Sequence, residues 1–216
     1  MGYRGKEPLA TLQGEGARAG RPAVFCRFTG CNLWSGREVH RATAVCRFCD
    51  TDFVGTDGPG GGTFATPDEL ADRVRRCWDG HMGPGGGPYV VCTGGEPLLQ
   101  VDTALVDALH ARGIEVGIET NGTIEVPDGV DWVCVSPKAG AELVVLTGDE
   151  LKVVHPQDGL DLGALAALDF RHHLLQPMDQ GDASRTGAST AATIEYCLAH
   201  PVWRLSVQSH KYLGIP

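Results

Sequence analysis

The sequence predicts an α/β fold in which a parallel sheet curves into a partial barrel that is open at one side. Apolar, strand-like stretches alternate with stretches of helical character along much of the chain. Such alternation favours parallel strands joined by right-handed helical crossovers. A full eight-unit barrel needs about 250 residues, whereas this chain has 216. We therefore expect one domain over residues 1–216, with a barrel of reduced size.

Seven segments are predicted to be strands. They are rich in apolar residues and are bounded by glycine, proline or polar residues. The predicted strands cover residues 22–29, 89–93, 114–120, 132–136, 150–155, 172–176 and 202–208. Ligands of open parallel sheets bind at the carboxyl ends of the strands, so polar residues at these ends are candidates for a functional site.

Four segments are predicted to be helices, and the first has the clearest start. Thr66 can cap this helix, Pro67 suits its first turn, and Glu69 completes a capping box. Gly113 and Pro201 end the second and fourth segments. The predicted helices cover residues 67–78, 102–112, 160–168 and 188–199.

Composition argues against several classes of function. A formal net charge of -9 disfavours nonspecific nucleic-acid binding, which depends on a basic surface. No apolar run is long enough to cross a bilayer, and residues 1–7 are not followed by the apolar segment of a signal peptide. Without an export signal, the eight cysteines are expected to stay reduced. We expect a cytoplasmic protein that binds neither nucleic acid nor membrane.

Three cysteines, Cys31, Cys46 and Cys49, are the candidate metal ligands. The last two form a Cys-x-x-Cys pair, and fourteen residues (32–45) separate them from the first. A closed structural site uses four protein ligands, whereas a catalytic centre keeps one position open. His40 lies in the gap and could complete a zinc site. The three cysteines alone therefore leave both zinc and an iron–sulfur cluster open.

Further motifs add a family resemblance. Residues 27–33 (Arg-Phe-Thr-Gly-Cys-Asn-Leu) and 46–51 (Cys-Arg-Phe-Cys-Asp-Thr) resemble the cluster loop of radical S-adenosylmethionine enzymes, with Phe48 as the aromatic residue before the third cysteine. The usual three-residue gap between the first two cysteines is enlarged here, giving a loop over about 30–51. With residues 12–16 (Leu-Gln-Gly-Glu-Gly) and 93–97 (Thr-Gly-Gly-Glu-Pro), residues 13–216 resemble 7-carboxy-7-deazaguanine synthases.

The resemblance implies a fold, a reaction and cofactors. The fold would be the partial, open (β/α) barrel of radical S-adenosylmethionine enzymes. The reaction would contract the ring of 6-carboxy-5,6,7,8-tetrahydropterin to 7-carboxy-7-deazaguanine with loss of ammonia, a carbon–nitrogen lyase step of queuosine and deazapurine biosynthesis. A 4Fe-4S cluster, S-adenosylmethionine and Mg²⁺ would serve as cofactors. An electron donor such as flavodoxin or ferredoxin, and a homodimer, are also expected.

The resemblance also assigns site residues. The cluster ligands would be Cys31, Cys46 and Cys49, and Thr51 would join a magnesium shell. Implied substrate contacts are Leu12, Gln13, Gly14, Glu15, Arg27, Thr93, His210 and Pro216. Implied S-adenosylmethionine contacts are Phe48, Gly95, Glu96, Ser136, Pro137, Lys138, Gln176, Pro177, Met178 and Asp179. No catalytic side chain beyond the cluster and cofactor is implied.

The chemistry of the implied substrate residues suits a pterin. Its edge carries an amide carbonyl, a ring N–H and an exocyclic amine. Glu15 can accept from these donors, and Gln13 can both accept and donate. The planar fork of Arg27 can engage a carboxylate, and the chain's own terminal carboxylate at Pro216 is a further acceptor.

Two alternatives are kept at this stage. A glycyl-radical-enzyme activase would share the cluster but act on a partner protein. A zinc-stabilised binding module would carry no catalysis. The Gln-Gly-Glu-Gly segment at residues 13–16 favours a small-molecule substrate over the activase.

Overall fold

One nine-stranded sheet runs through residues 2–216, the part of the chain that this computed structural model describes. In chain order its strands are β1 (Tyr3–Leu12), β2 (Pro22–Phe28), β3 (Gly62–Phe64), β4 (Tyr89–Gly94), β5 (Glu115–Thr120), β6 (Trp132–Val135), β7 (Thr147–His155), β8 (Asp169–Pro177) and β9 (Arg204–Leu205). Their order across the sheet is β3-β1-β2-β4-β5-β6-β7-β8-β9.

The pairs from β2–β4 through β8–β9 are parallel, whereas β1 pairs antiparallel with both β2 and β3. The first and last strands of the order, β3 and β9, do not pair with each other, so the sheet is not closed. The predicted partial barrel, open at one side, is confirmed.

Five α-helices accompany the sheet: α1 (Pro67–His81), α2 (Thr103–His110), α3 (Leu162–Ala166), α4 (Ala183–Ala199) and α5 (Ser209–Leu213). The predicted start of α1 is confirmed, because the Thr66 hydroxyl accepts from the Glu69 backbone N–H at 3.2 Å. The Glu69 carboxylate in turn accepts from the backbone N–H of Ala65 at 2.7 Å. Short 3-10 helices cover Glu38–Thr43 and Pro97–Leu99.

Several elements differ from the sequence-based expectation. The strands β1 and β3 and the helix α5 were not predicted. The strand predicted over 202–208 is shortened to β9, because buried and exposed residues do not alternate along this segment. Only Trp203 and Ser206 are buried, while Val202, Leu205 and Val207 are exposed. Residues three apart cannot share the same face of a strand, whose side chains alternate.

Hydrogen bonds across the open side connect the two ends of the sheet. The backbone N–H of Ser209, beyond β9, donates to the carbonyl of Gly14, beyond β1, at 2.8 Å. The backbone N–H of Gly16 donates to the Ser206 hydroxyl at 3.0 Å. Loop contacts, in place of strand pairing, therefore cover the gap between β1 and β9.

Two hydrophobic clusters form the core. The larger lies between α1, α2 and the first part of the sheet, and it includes fully buried Phe28, Leu105 and Ile118. The second includes Leu151, Leu175 and Trp203. The thiols of Cys26, Cys92 and Cys134 are buried in the structure. In the described residues, no helix combines the length and the apolar character that crossing a bilayer would need.

We expect Leu105→Ala to lower the free energy of unfolding by about 2–5 kcal/mol, because Leu105 is fully buried in α2 and its loss leaves a cavity. Val39→Ala, at a valine that is 85% exposed, is the control and should change stability by less than about 0.5 kcal/mol. Urea denaturation of the two variants measures the difference. Equal effects would contradict the assignment of the core.

Candidate active site

A cavity of about 490 Å³ opens at the carboxyl ends of the parallel strands. Thr93 of β4, Thr120 of β5, Ser136 just after β6 and Gln176 of β8 all line it. The backbone N–H of Ser136 donates to the carbonyl of Thr120 at 2.8 Å. This bond holds the carboxyl ends of β5 and β6 next to each other. The polar clusters predicted at strand ends therefore meet at one mouth.

All but two of the residues predicted for the site line this cavity. They come from the loop after β1, from the cysteine loop, from the strand ends and from the C-terminal tail. The lining residues among them are Leu12, Gln13, Gly14, Glu15, Arg27, Cys31, Cys46, Phe48, Cys49, Thr51, Thr93, Gly95, Ser136, Lys138, Gln176, Pro177, Met178, Asp179, His210 and Pro216.

Glu96 and Pro137, the other two predicted residues, lie beside the cavity and are not among the residues that line it. Glu96 is fully buried. Its carboxylate accepts from the backbone N–H groups of Leu98 at 3.0 Å and Asn121 at 2.8 Å, and from the Thr120 hydroxyl at 2.7 Å. Burial raises the pKa of the Glu96 carboxyl, and these three bonds favour its ionised form. Glu96 thus joins the segment after β4 to the end of β5.

The glycine pair before Glu96 allows the cysteine loop to pack closely on β4. A Cβ on Gly95 would lie 1.9 Å from the carbonyl oxygen of Gly30, so no larger residue fits. Gly94 has a φ of 108°, a conformation that favours glycine. The backbone N–H of Glu96 donates to the same Gly30 carbonyl at 2.8 Å. This turn therefore fixes the loop that begins at Cys31.

The three predicted cluster ligands share one side of the cavity, and backbone N–H groups face each sulfur. The N–H groups of Leu33 and Trp34 approach Cys31, and the Leu33 nitrogen lies 3.4 Å from its sulfur. Those of Phe48 and Thr51 approach Cys46 and Cys49. Such donors favour thiolates, the form that ligates iron. The donor set therefore fits an iron–sulfur cluster.

The two thiols of the Cys-x-x-Cys pair are hydrogen-bonded to each other. This bond, opposed by burial and helped by the Lys138 ammonium, lowers the pKa of Cys46 to about 7. The same bond and burial raise the pKa of Cys49. Both cysteines line the cavity.

The zinc alternative is not supported by the position of His40. Its ring Nδ1 is hydrogen-bonded to the Ser35 hydroxyl at 2.8 Å, and it does not line the cavity. Over residues 2–216, no three side chains of His, Cys, Asp or Glu converge closely enough to hold a single metal ion. An iron–sulfur cluster does not require its ligands to converge on one ion, since each cysteine ligates a different iron.

A buried lysine that the sequence analysis missed lies in the substrate part of the cavity. The Lys152 ammonium donates to Glu15 at 2.6 Å and to Glu119 at 3.1 Å. Gln13 donates its amide N–H to Glu119 at 2.8 Å. Burial favours the neutral form of Glu15, but the Lys152 charge and hydrogen bonds from Lys152 and Gln208 lower its pKa to about 2. The available signal was a lysine flanked directly by apolar residues, Leu151 and Val153, in a predicted strand.

Two further predicted residues are already engaged within the protein. Arg27 donates to the Glu7 carboxylate at 2.7 Å. The Lys138 ammonium donates to the carbonyl and the hydroxyl of Ser136 at 2.5 and 2.7 Å. Burial lowers the pKa of Lys138, and the nearby thiols of Cys46 and Cys49 oppose that effect.

The C-terminal tail forms part of the cavity wall. Lys211 of α5 donates to Asp50, next to Cys49, at 2.7 Å and to Asp179, beyond β8, at 2.5 Å. The carbonyl of Pro216 accepts from the Thr11 hydroxyl at 3.0 Å. The ring of His210 packs so closely that a Cβ on Gly14 would meet its Nδ1 at 2.2 Å. The tail is therefore tied to three different walls of the cavity.

Comparisons with known proteins agree with this geometry. Residues 40–151 match the family model of the radical SAM superfamily. The 7-carboxy-7-deazaguanine synthases of Caulobacter vibrioides and Bradyrhizobium diazoefficiens are 60% and 59% identical to the chain, and both alignments cover 100% of each chain. The crystal structure of QueE from Escherichia coli superposes with a TM-score of 0.70 and 31% identity, covering 97% of this chain and 95% of that one.

The fold and the cysteine loop thus define a radical SAM enzyme. Within that superfamily, the chain belongs to the 7-carboxy-7-deazaguanine synthase family. Family membership confirms the predicted lyase class and the predicted cofactors, namely a 4Fe-4S cluster, S-adenosylmethionine and Mg²⁺. The glycyl-radical-enzyme activase and the zinc-stabilised module are thereby excluded.

We expect Glu96→Gln to lower the free energy of unfolding by about 1–3 kcal/mol, because the new amide N–H₂ would face donors that now bind a carboxylate. Glu125→Gln, at an exposed position, is the control and should have little effect. Urea denaturation compares them. An unchanged free energy of unfolding in Glu96→Gln would show that the carboxylate does not hold these strand ends together.

Proposed function

We propose that this chain converts 6-carboxy-5,6,7,8-tetrahydropterin into 7-carboxy-7-deazaguanine with loss of ammonia, in queuosine or deazapurine biosynthesis. The observation that carries the proposal is a single cavity lined by three cysteines, by the Gln13–Glu15 segment and by the C-terminal residue. The family name of relatives at 60% and 59% identity supports the same reaction.

We assign the inner part of the cavity to the cofactors. Cys31, Cys46 and Cys49 would hold the cluster, leaving one iron for S-adenosylmethionine. Bound together, these groups supply the one-electron chemistry that opens a substrate C–H bond. The chain itself positions S-adenosylmethionine and excludes water. The residues that we assign to this task are Phe48, Gly95, Glu96, Ser136, Pro137, Lys138, Gln176, Pro177, Met178 and Asp179, most of which line the cavity.

We assign the outer part of the cavity to the pterin. The carboxylate of Glu15 and the amide of Gln13 would meet its ring edge, and Arg27 would meet its carboxylate. Thr51 would share a magnesium ion with substrate oxygens, because Mg²⁺ prefers oxygen ligands and retains water. Leu12, Gly14, Thr93 and His210 would complete the contacts, and the terminal carboxylate of Pro216 would accept from the ring.

We further propose a flavodoxin or ferredoxin as electron donor, a homodimer and a cytoplasmic location. The cysteine loop exposes Arg37 and Arg47 on a chain of net charge -9, which would suit an acidic electron carrier. Exposed Leu198 and Leu205, on contacting elements α4 and β9, offer apolar surface for a second copy. Sedimentation of the reconstituted protein tests the dimer.

Anaerobic reconstitution tests the reaction. The loaded protein, with S-adenosylmethionine, Mg²⁺, a reductant and the carboxypterin, is expected to form 7-carboxy-7-deazaguanine, identified by mass. Cys46→Ala should lose the cluster and all activity, because one of three ligands is removed. Cys197→Ala, at a cysteine of α4 outside the cavity, is the matched control and should keep its iron and its rate. Product formation by cluster-free Cys46→Ala would refute the assignment.

A C-terminal extension tests the role of the tail. A short peptide added after Pro216 should raise the KM for the pterin about tenfold or more, because it removes the terminal carboxylate from the cavity. Binding of S-adenosylmethionine should remain. The same peptide at the N-terminus is the control. Unchanged turnover and KM in the extended protein would assign the tail a purely structural role.

A further inference from the structure

The most heavily charged buried cluster of the cavity is centred on Lys152, which lies on β7 with its side chain 5% exposed. Its ammonium contacts both Glu15 and Glu119, whose side chains are 15% and 22% exposed. The two carboxylates belong to different elements, the loop after β1 and the end of β5. Lys152 therefore connects two walls of the cavity, alongside the hydrogen bond from Gln13 to Glu119.

Each carboxylate of this cluster is held at both oxygens. Glu15 accepts from Lys152 on one oxygen and from the Gln208 amide, at 2.9 Å, on the other. Glu119 accepts from Lys152 on one oxygen and from Gln13 on the other. A carboxylate oxygen has room for two hydrogen bonds, so each retains acceptor capacity towards the cavity. The acceptors are thus preorganised before any ligand arrives.

The charges explain why a lysine is needed at this position. Two carboxylates that approach the same point repel each other, and one of them takes up a proton unless a cation lies between them. Burial alone favours the neutral form of the lysine, but Glu119 and Glu15 keep its pKa above the usual value. The cluster is therefore one cation and two anions that depend on one another.

We propose that Lys152 is a positioning and specificity-determining residue, whose ammonium holds Glu15 and Glu119 side by side as ionised acceptors for two adjacent N–H donors of the heterocycle. The inference rests on the proposed function, since a pterin carries such a pair in its ring N–H and exocyclic amine. A ring with an oxo group in place of that amine presents a lone pair to a carboxylate. Lys152 therefore sets the preference for an amine-bearing ring.

The first test is Lys152→Met, which keeps the length of the side chain and removes its charge. We expect the KM for the carboxypterin to rise about 30-fold or more, as expected for loss of one partner of a buried ion pair, while kcat falls much less. Wild-type turnover, measured first, establishes the proposed function independently. Arg112→Met removes a cation that bridges Asp68 and Asp72 outside the cavity, and should leave both constants unchanged.

The decisive readout is discrimination between two substrates. Wild type and Lys152→Met are compared with the carboxypterin and with its analogue in which an oxo group replaces the exocyclic amine, by competition for binding. The ratio of the two affinities should fall about tenfold or more in the variant. A purely structural lysine would weaken both ligands equally. An unchanged ratio would overturn the proposal even where KM rises.

A double variant provides an independent check. In Lys152→Met with Glu119→Gln, the unpaired carboxylate is removed together with the cation, so the two losses in affinity should not multiply. Multiplicative losses would contradict the proposed coupling. If Lys152→Met does not fold, as judged by urea denaturation and iron content, Lys152→Gln replaces it in both measurements, since its neutral amide fills similar space.

Discussion

The active-site cavity depends above all on the parallel pairing of β4 to β8. Parallel register places the carboxyl ends of these strands at one edge, so residues distant in sequence, such as Thr93, Ser136 and Gln176, reach the same cavity. The hydrogen bonds of Glu96 then lock the ends of β4 and β5 together. Without this common edge, the cysteine loop would have no fixed surface on which to pack.

The loop itself is fixed by close backbone contact. Because Gly95 lies against the carbonyl of Gly30, the residue before Cys31 has a defined position relative to β4. In the enlarged gap between Cys31 and Cys46, Leu33 and Trp34 line the cavity, whereas Glu38–Thr43 form a 3-10 helix outside it with no buried residue. An insertion can therefore lengthen this loop without displacing the thiols, because its extra residues extend into solvent.

Much of the fold and the site was accessible from sequence, and the exceptions have physical reasons. The apolar stretches that alternate with helical stretches predicted the parallel strands, because these strands are buried and regular. This pattern missed β1, because Gly5, Lys6 and Pro8 give that strand an atypical composition and it needs β2 and β3 to pair. Sequence motifs identified the three cysteines. Lys152 was not identified, because its place in the site depends on contact with Glu119, which is thirty-three residues away in the sequence. Sequence spacing does not reveal a contact between different elements.

The open barrel also explains why both ends of the chain contribute to the site. A closed barrel would seal its own side by strand pairing, whereas here β3 and β9 remain unpaired with each other. The loop after β1 and the tail after β9 meet across that gap through Gly14 and Ser209. Lys211 then ties the tail to the cysteine loop through Asp50. The segments that cover the open side of the barrel therefore also line the cavity, because the missing strand contacts leave that side to loops.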